Sequence, residues 1–184
     1  DRYWRRKAGG KRDFIPSRPA VHRRQLREKH VLFTGVHEAR TKKGARQTDG
    51  YCILASGADE CNLGCELWVD MEIPYAHKGE KEYSLTPQHF TVTTYTPRIT
   101  KVQVRAPHLN NCIVVAHAPH DKHRATQEVR RRWWGELSKA VMEKEDTVLL
   151  IDANARMGNQ SSETVGREGF AQQQGDNGTS CARS

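Results

Sequence analysis

The sequence predicts a mixed α/β domain, and three observations predict it. Its 184 residues match about one domain's length on the usual prior of roughly 100–200 residues. Charged types reach 28% and mean hydropathy is −0.82, yet Val, Ile, Leu and Trp gather in blocks able to form a core, which excludes wholesale disorder. Finally, an apolar strand pattern, an amphipathic helix pattern and a second apolar strand follow one another between residues 111 and 154.

The elements follow in order. After the leader that ends at Arg18-Pro19, PAVHRRQLREK reads as a short helix, and Val31, Leu32 and Phe33 open a first strand running into Gly35, Val36, His37 and Glu38. Residues 39–50, rich in Lys, Arg and Gly, read as a loop, and YCILAS and CELWV as short strands. The polar, Pro-punctuated segment 74–90 reads as a second loop. FTVTTY and ITKVQVR, rich in β-branched residues, predict two strands about the turn Thr96-Pro97-Arg98. CIVVA (112–116) is a buried-strand run that stops at His117. Ala125, Val129, Trp133, Leu137 and Val141 then recur every four residues as the apolar stripe of a helix, for which Asp121 is the expected N-cap. TVLLI (147–151) reads as another buried strand ending in Asp152, so the unit is a strand–helix–strand crossover. The Gly-, Gln- and Ser-rich residues 155–184 read as loop.

Charge narrows the partners. The formal net charge is +8 with a pI near 9.4, which favours polyanions such as nucleic acid, phosphoinositides or anionic membrane. Residues 1–19 carry seven Lys and Arg against two Asp, a net +5 that leaves +3 for residues 20–184. This leader reads as a flexible basic arm, either a solvated tail or a nucleic-acid contact. No apolar run approaches the ~20 residues of a membrane span and no secretory signal opens the chain, so it reads as soluble and intracellular. It begins at Asp1 instead of Met, the mark of a piece of something longer. Five cysteines, an odd number, predict reduced thiols; Cys61 and Cys65 lack the second ligand pair of a zinc knuckle.

Three apolar strands end in polar groups: His37 and Glu38, then His117, then Asp152 with Asn154 two residues on. Strand ends fix a backbone and expose a side chain, so a shared site is expected there. Taken singly, Asp152 also reads as a turn cap and Glu38 as a solvated carboxylate. His117, His120, Asp121 and His123 invite a zinc reading, but their spacing is not the usual His-x-His-x-Asp-His and Pro119 interrupts it.

CIVVAHAPHD, the following helix with its Trp-Trp pair, VLLIDANARMG and TVGREG together resemble the endonuclease/exonuclease/phosphatase superfamily, the DNase I-like group, and within it the apurinic-endonuclease and retrotransposon-endonuclease branches. The resemblance runs from about residue 30 to 178. It implies a layered α/β sandwich, two mixed β-sheets face to face with helices outside, here incomplete and spanning 20–184. It implies metal-dependent hydrolysis of nucleic-acid phosphodiesters, DNA foremost, with Mg²⁺ or Mn²⁺ as cofactor. VHEAR is similar to that family's Gln-Glu-Thr-Arg element, which makes Glu38 the metal ligand. IDANAR is similar to its Gly-Asp-Phe-Asn-Ala element, which makes Asp152 the residue that orients or deprotonates water and Asn154 the donor to a phosphate oxygen. His117 stands where many members carry Tyr and joins the catalytic set. Arg98, His120 and Asn177 are expected to bind phosphate or nucleic acid.

The departures from that pattern fall at functional positions. The opening strand with its metal-binding Asn and the closing Ser-Asp-His element with its acid/base His have no counterpart in these residues, and Ile151 replaces a glycine. Loss of general acid–base help of about 10²- to 10⁴-fold is the expectation. Two alternatives therefore stand beside the nuclease: a silent nucleic-acid-binding remnant of the fold, and a phosphomonoesterase of the same superfamily.

Overall fold

The basic leader contains paired backbone. In the computed structural model, which describes residues 2–6, 12–58, 63–120, 125–141 and 146–155, β1 (Arg2–Arg6) runs antiparallel to β2 (Arg12–Pro16), with Arg2 opposite Pro16. Helix α1 (Arg18–Glu28) starts two residues before the boundary that charge alone suggested. Ser17 caps it by accepting from Ala20 N at 3.4 Å, and Pro19 sits in its first turn, where a missing N–H costs nothing.

Four strands then form one sheet: β3 (Phe33–Val36), β4 (Gly44–Thr48), β5 (Tyr51–Ala55) and β6 (Glu66–Asp70), in the order β3-β6-β5-β4. A hairpin of β7 (Pro74–Lys78) and β8 (Lys81–Ser84) follows. The second large sheet comprises β9 (Phe90–Thr96), β10 (Ile99–Ala106), β11 (Leu109–His117) and β12 (Thr147–Asp152), in the order β12-β11-β10-β9, with α2 (Gln127–Val141) as the crossover between β11 and β12. That crossover makes β11 and β12 parallel, as the sequence pattern predicts.

Five expectations are corrected. Residues 39–50 are not all loop, because Gly44–Thr48 pairs with β5; nor are 74–90, which hold the β7–β8 hairpin. Only the β9–β12 sheet is mixed; every pair in the β3–β6 sheet is antiparallel. TVLLI is not fully buried: it is an edge strand among the described residues, and Val148 and Leu149 are 43% and 37% exposed. On α2 the buried seam runs through Trp133, Trp134 and Leu137, leaving Val129 exposed, so the stripe is displaced from the strict four-residue row.

Strand alternation explains the packing. Cys52 and Leu54 of β5 and Leu67 and Val69 of β6 share a core with Val102 and Val104 of β10 and Ile113 and Val115 of β11, so the two sheets face one another. The intervening residues point outward. Tyr51, Ile53 and Trp68 are packed by Leu26 of α1, while Cys112, Val114 and Ala116 are packed by the two tryptophans and Leu137 of α2. Central strands are thus covered on both faces, which is why YCILA and CIVVA lack a polar alternation. Each fully buried Val, Leu or Ile contributes about 1.5–3 kcal/mol. Gly35 of β3 lies where a Cβ would stand 2.8 Å from Leu150 Cβ and 3.2 Å from Val115 Cγ1, so only glycine lets the two sheets close to this spacing. Cys52, Cys65 and Cys112 are buried, and burial pushes the Cys65 thiol up to about 12.

Candidate active site

Topology brings the polar strand ends to one place. Parallel pairing sets His117 opposite Asp152, and antiparallel pairing sets Ile99 opposite Ala116, so the turn carrying Arg98 lies at the same edge. The ladder continues one step further: His117 N donates to Arg98 O at 2.9 Å and Ala118 N to Asp152 O at 2.9 Å. From the other sheet, β3 delivers His37, whose ring centroid is 5.9 Å from that of His117. Backbone bonds from Ala39 N to Gly64 O, Arg40 N to Leu63 O and Gly64 N to Pro97 O tie the bend after β3 to the Arg98 turn.

That bend is strained. Glu38 and Arg40 adopt left-handed φ values of 53° and 54°, a region costing an ordinary L-residue about 1–2 kcal/mol. Glu38 is exposed at this corner, close enough for its charge to act on both Arg98 and His117. Asn154 is also left-handed, at φ 45°, which Asn tolerates better, and its backbone N–H donates to Asp152 Oδ1 at 3.0 Å in a local turn.

Arg98 supplies the site's cation. Its guanidinium donates to His117 O and Ala118 O, both at 3.3 Å, and burial lowers its pKa. Among the described residues no carboxylate forms an ion pair with it. Burial is also the main reason that the His117 pKa lies below the ordinary histidine range; Arg98 and His37 push the same way, against Asp152 and Glu38. His117 is accordingly neutral at pH 7, with Nε2 free to accept. Asn154 Nδ2 donates there at 3.1 Å and to Ala118 O at 2.8 Å. Both amide hydrogens are thus engaged inside the protein, and donating one to a phosphate requires His117 to release it. Among the described residues two imidazole nitrogens, His37 Nε2 and His117 Nδ1, are buried without a hydrogen-bond partner. Leaving such a group unmet costs about 1–3 kcal/mol, a cost that a polar visitor removes.

The structure brings Glu38, Arg98, His117, Asp152 and Asn154 together. His120 is exposed in the segment after β11. Asn177, the TVGREG stretch, Asp121 as an N-cap, His123 and Cys61 lie outside the described residues. His37 was legible as a polar residue at the end of an apolar strand; its ring contact with His117 depends on the two sheets meeting, which no local pattern reports. Among the described residues there is no group of three or more His, Cys, Asp and Glu side chains placed to hold a metal ion by themselves. The donors suit a hard cation attached through one carboxylate and otherwise ligated by water and substrate, the habit of Mg²⁺, and not a metal caged by protein. The chain matches no protein-family model, and no curated protein matches it.

Proposed function

We propose that this chain carries a metal-dependent nucleic-acid phosphodiesterase site on a DNase I-like fold, two facing sheets with α1 and α2 on their outer sides, in the manner of the endonuclease/exonuclease/phosphatase superfamily. One observation carries the reading: a half-buried arginine with no carboxylate paired to it among the described residues shares a strand-end cluster with two acidic side chains and two buried imidazole nitrogens that lack partners. Such a site attracts an anion while keeping carboxylates beside it. Glu38 would hold Mg²⁺ or Mn²⁺, which when bound acts as a Lewis acid on the phosphate and the leaving oxygen. Asp152 orients the attacking water and accepts its proton. Arg98 offsets charge on the phosphate oxygens, at half-burial where its field is less screened than in bulk water. Neutral His117 sets the orientation of the Asn154 amide and, when its Nε2 takes a proton, releases that amide to donate. The basic chain and the residues of the cluster suit a nucleic-acid diester, and the superfamily resemblance puts DNA foremost.

A silent nucleic-acid-binding remnant is the second reading, favoured by the engagement of both Asn154 amide hydrogens within the protein. A plasmid-nicking assay separates the two. The nuclease predicts nicking with Mg²⁺, none with EDTA, a fall of about 10²- to 10⁴-fold in Asp152→Ala, and loss of the Mg²⁺-dependent nicking in Glu38→Gln. Retention of plasmid in a gel shift without any nicking leaves the remnant.

A further inference from the structure

On the outer side of the β3–β6 sheet, between the first turn of α1 and the segment leading into β4, lies a cavity of about 680 Å³. Its rim is cationic: Arg18, His22, Lys42 and Lys43 are exposed, with Arg46 beside them. Among the described residues a single carboxylate, Glu66, lines it, and that group is buried and already engaged. It accepts from Arg46 Nη2 at 2.6 Å, from Trp68 Nε1 at 2.6 Å and from Thr41 Oγ1. Among the described residues, Arg18 and Lys42 therefore bring positive charge to the lining beyond what Glu66 offsets. Helix α1 adds to it, since its N-terminal turn borders the cavity and contains no acidic residue to balance the helix dipole. Pro19, Val36, Ala45 and Trp68 give the same lining apolar surface. Cationic and apolar lining together fit a phosphorylated unit whose sugar and base lie against carbon.

The cavity also has a direction. Val36 and Ala39 line it, and Glu38 stands between them in the chain at the strained corner. It therefore begins within two residues of the carboxylate of the candidate active site, on the opposite side of the β3 bend from Asp152. We propose that it binds the backbone phosphates of the nucleic-acid strand flanking the bond to be cleaved, so that one or a few nucleotides beyond the reacting phosphate are gripped between α1 and the Lys42–Lys43 loop. This rests on the phosphodiesterase reading. A free phosphate engages only the cationic side chains, whereas a nucleotide within a strand offers both phosphate for them and carbon for the apolar lining.

The test uses the whole chain and two double variants, Arg18→Glu with Lys42→Glu, and Arg18→Ala with Lys42→Ala as the milder pair, both at exposed positions. The first readout is the affinity for labelled single-stranded and duplex oligonucleotides in EDTA, measured across a salt series. The charge reversal is expected to weaken binding about 10-fold or more, and both pairs to lower the slope of log K against log salt by about one to two, as expected when roughly two phosphate contacts are lost. With Mg²⁺ the loss should fall in KM for nicking and not in kcat. Unchanged affinity and slope in both variants overturn the cavity while leaving the nuclease reading intact. Weakened binding by the variants, when the wild-type chain itself never nicks, supports a strand-binding cavity and sinks the nuclease reading. Tighter binding to vesicles containing phosphoinositide than to any oligonucleotide overturns the nucleic-acid assignment.

Discussion

The molecule holds two buried polar networks, and they differ in how completely they are satisfied. On the α1 side of the β3–β6 sheet, Arg27 pairs with Asp70 at 2.7 Å and with Glu72 at 2.8 Å, Arg23 with Asp49 at 2.6 Å, and Arg46 with Glu66 at 2.6 Å. Asp70 further accepts from Glu72 N, and Arg27 lies over the ring of Tyr51. Every carboxylate there has a cation. At the strand ends the balance is reversed: among the described residues Arg98 donates only to carbonyls, Glu38 sits strained and exposed, and two imidazole nitrogens lack partners. Burying charge is costly unless it is paired, so a paired network holds a fold together while an unmet one is held in place by the fold for something else. This difference distinguishes a clamp from a site.

The largest effect on stability should come from breaking the clamp. Asp70 is fully buried, whereas Arg27 is about one-third exposed and keeps Glu72, so Asp70→Ala is expected to cost about 3 kcal/mol instead of the upper end for a wholly buried pair. For a chain of this size that lowers the Tm by roughly 6–12 °C in a thermal melt. An unshifted melt removes the clamp from the comparison. The strand-end cluster should respond in the opposite sense: Glu38→Gly relieves a left-handed φ and is expected to raise stability by about 1 kcal/mol in urea unfolding, at constant m-value, while Mg²⁺-dependent nicking disappears. Stability and activity falling together would make Glu38 a structural residue. The smallest effect is a pH slope. Folding lowers the His117 pKa, so the unfolded chain holds more protons once pH drops below about 6.5; stability present above that value is lost as pH falls toward the lowered one. Replacing His117 by Asn should flatten this part of the curve, with Arg98, His37, Glu38 and Asp152 left in place around it.

Legibility followed burial. The β11–α2–β12 crossover could be read because apolar runs and a helical stripe coincide there with deep cores on both sides of β11. β4 was missed because GARQT is an edge strand with three exposed central residues, and β7 and β8 because PYAHK and KEYS are polar and only partly covered. No period of two survives where neither face is buried. Helix α1 was legible as a helix, but not that it buries Arg23 at 2% exposure and anchors Asp70 through Arg27, since charged side chains in a polar helix look solvated until a sheet lies beneath them. In the candidate site, Glu38, His117, Asp152 and Asn154 were visible as polar residues halting apolar strands. Arg98 entered by resemblance, and the contact between His37 and His117 needed the third dimension.

The hydrogen atom that serves as the side chain of Gly35 gives the strand-end cluster a gauge. Because β3 rests almost directly on Leu150 and Val115, the separation between the Glu38 corner and the Asp152 strand is set by solid contact three residues behind the surface and not by the loops that frame the opening. Loops drift with sequence and solvent; a strand seated on a packed core does not. The width of the cleft is therefore a property of the interior, and it can be retuned from behind, by the volume of one residue that no substrate ever touches.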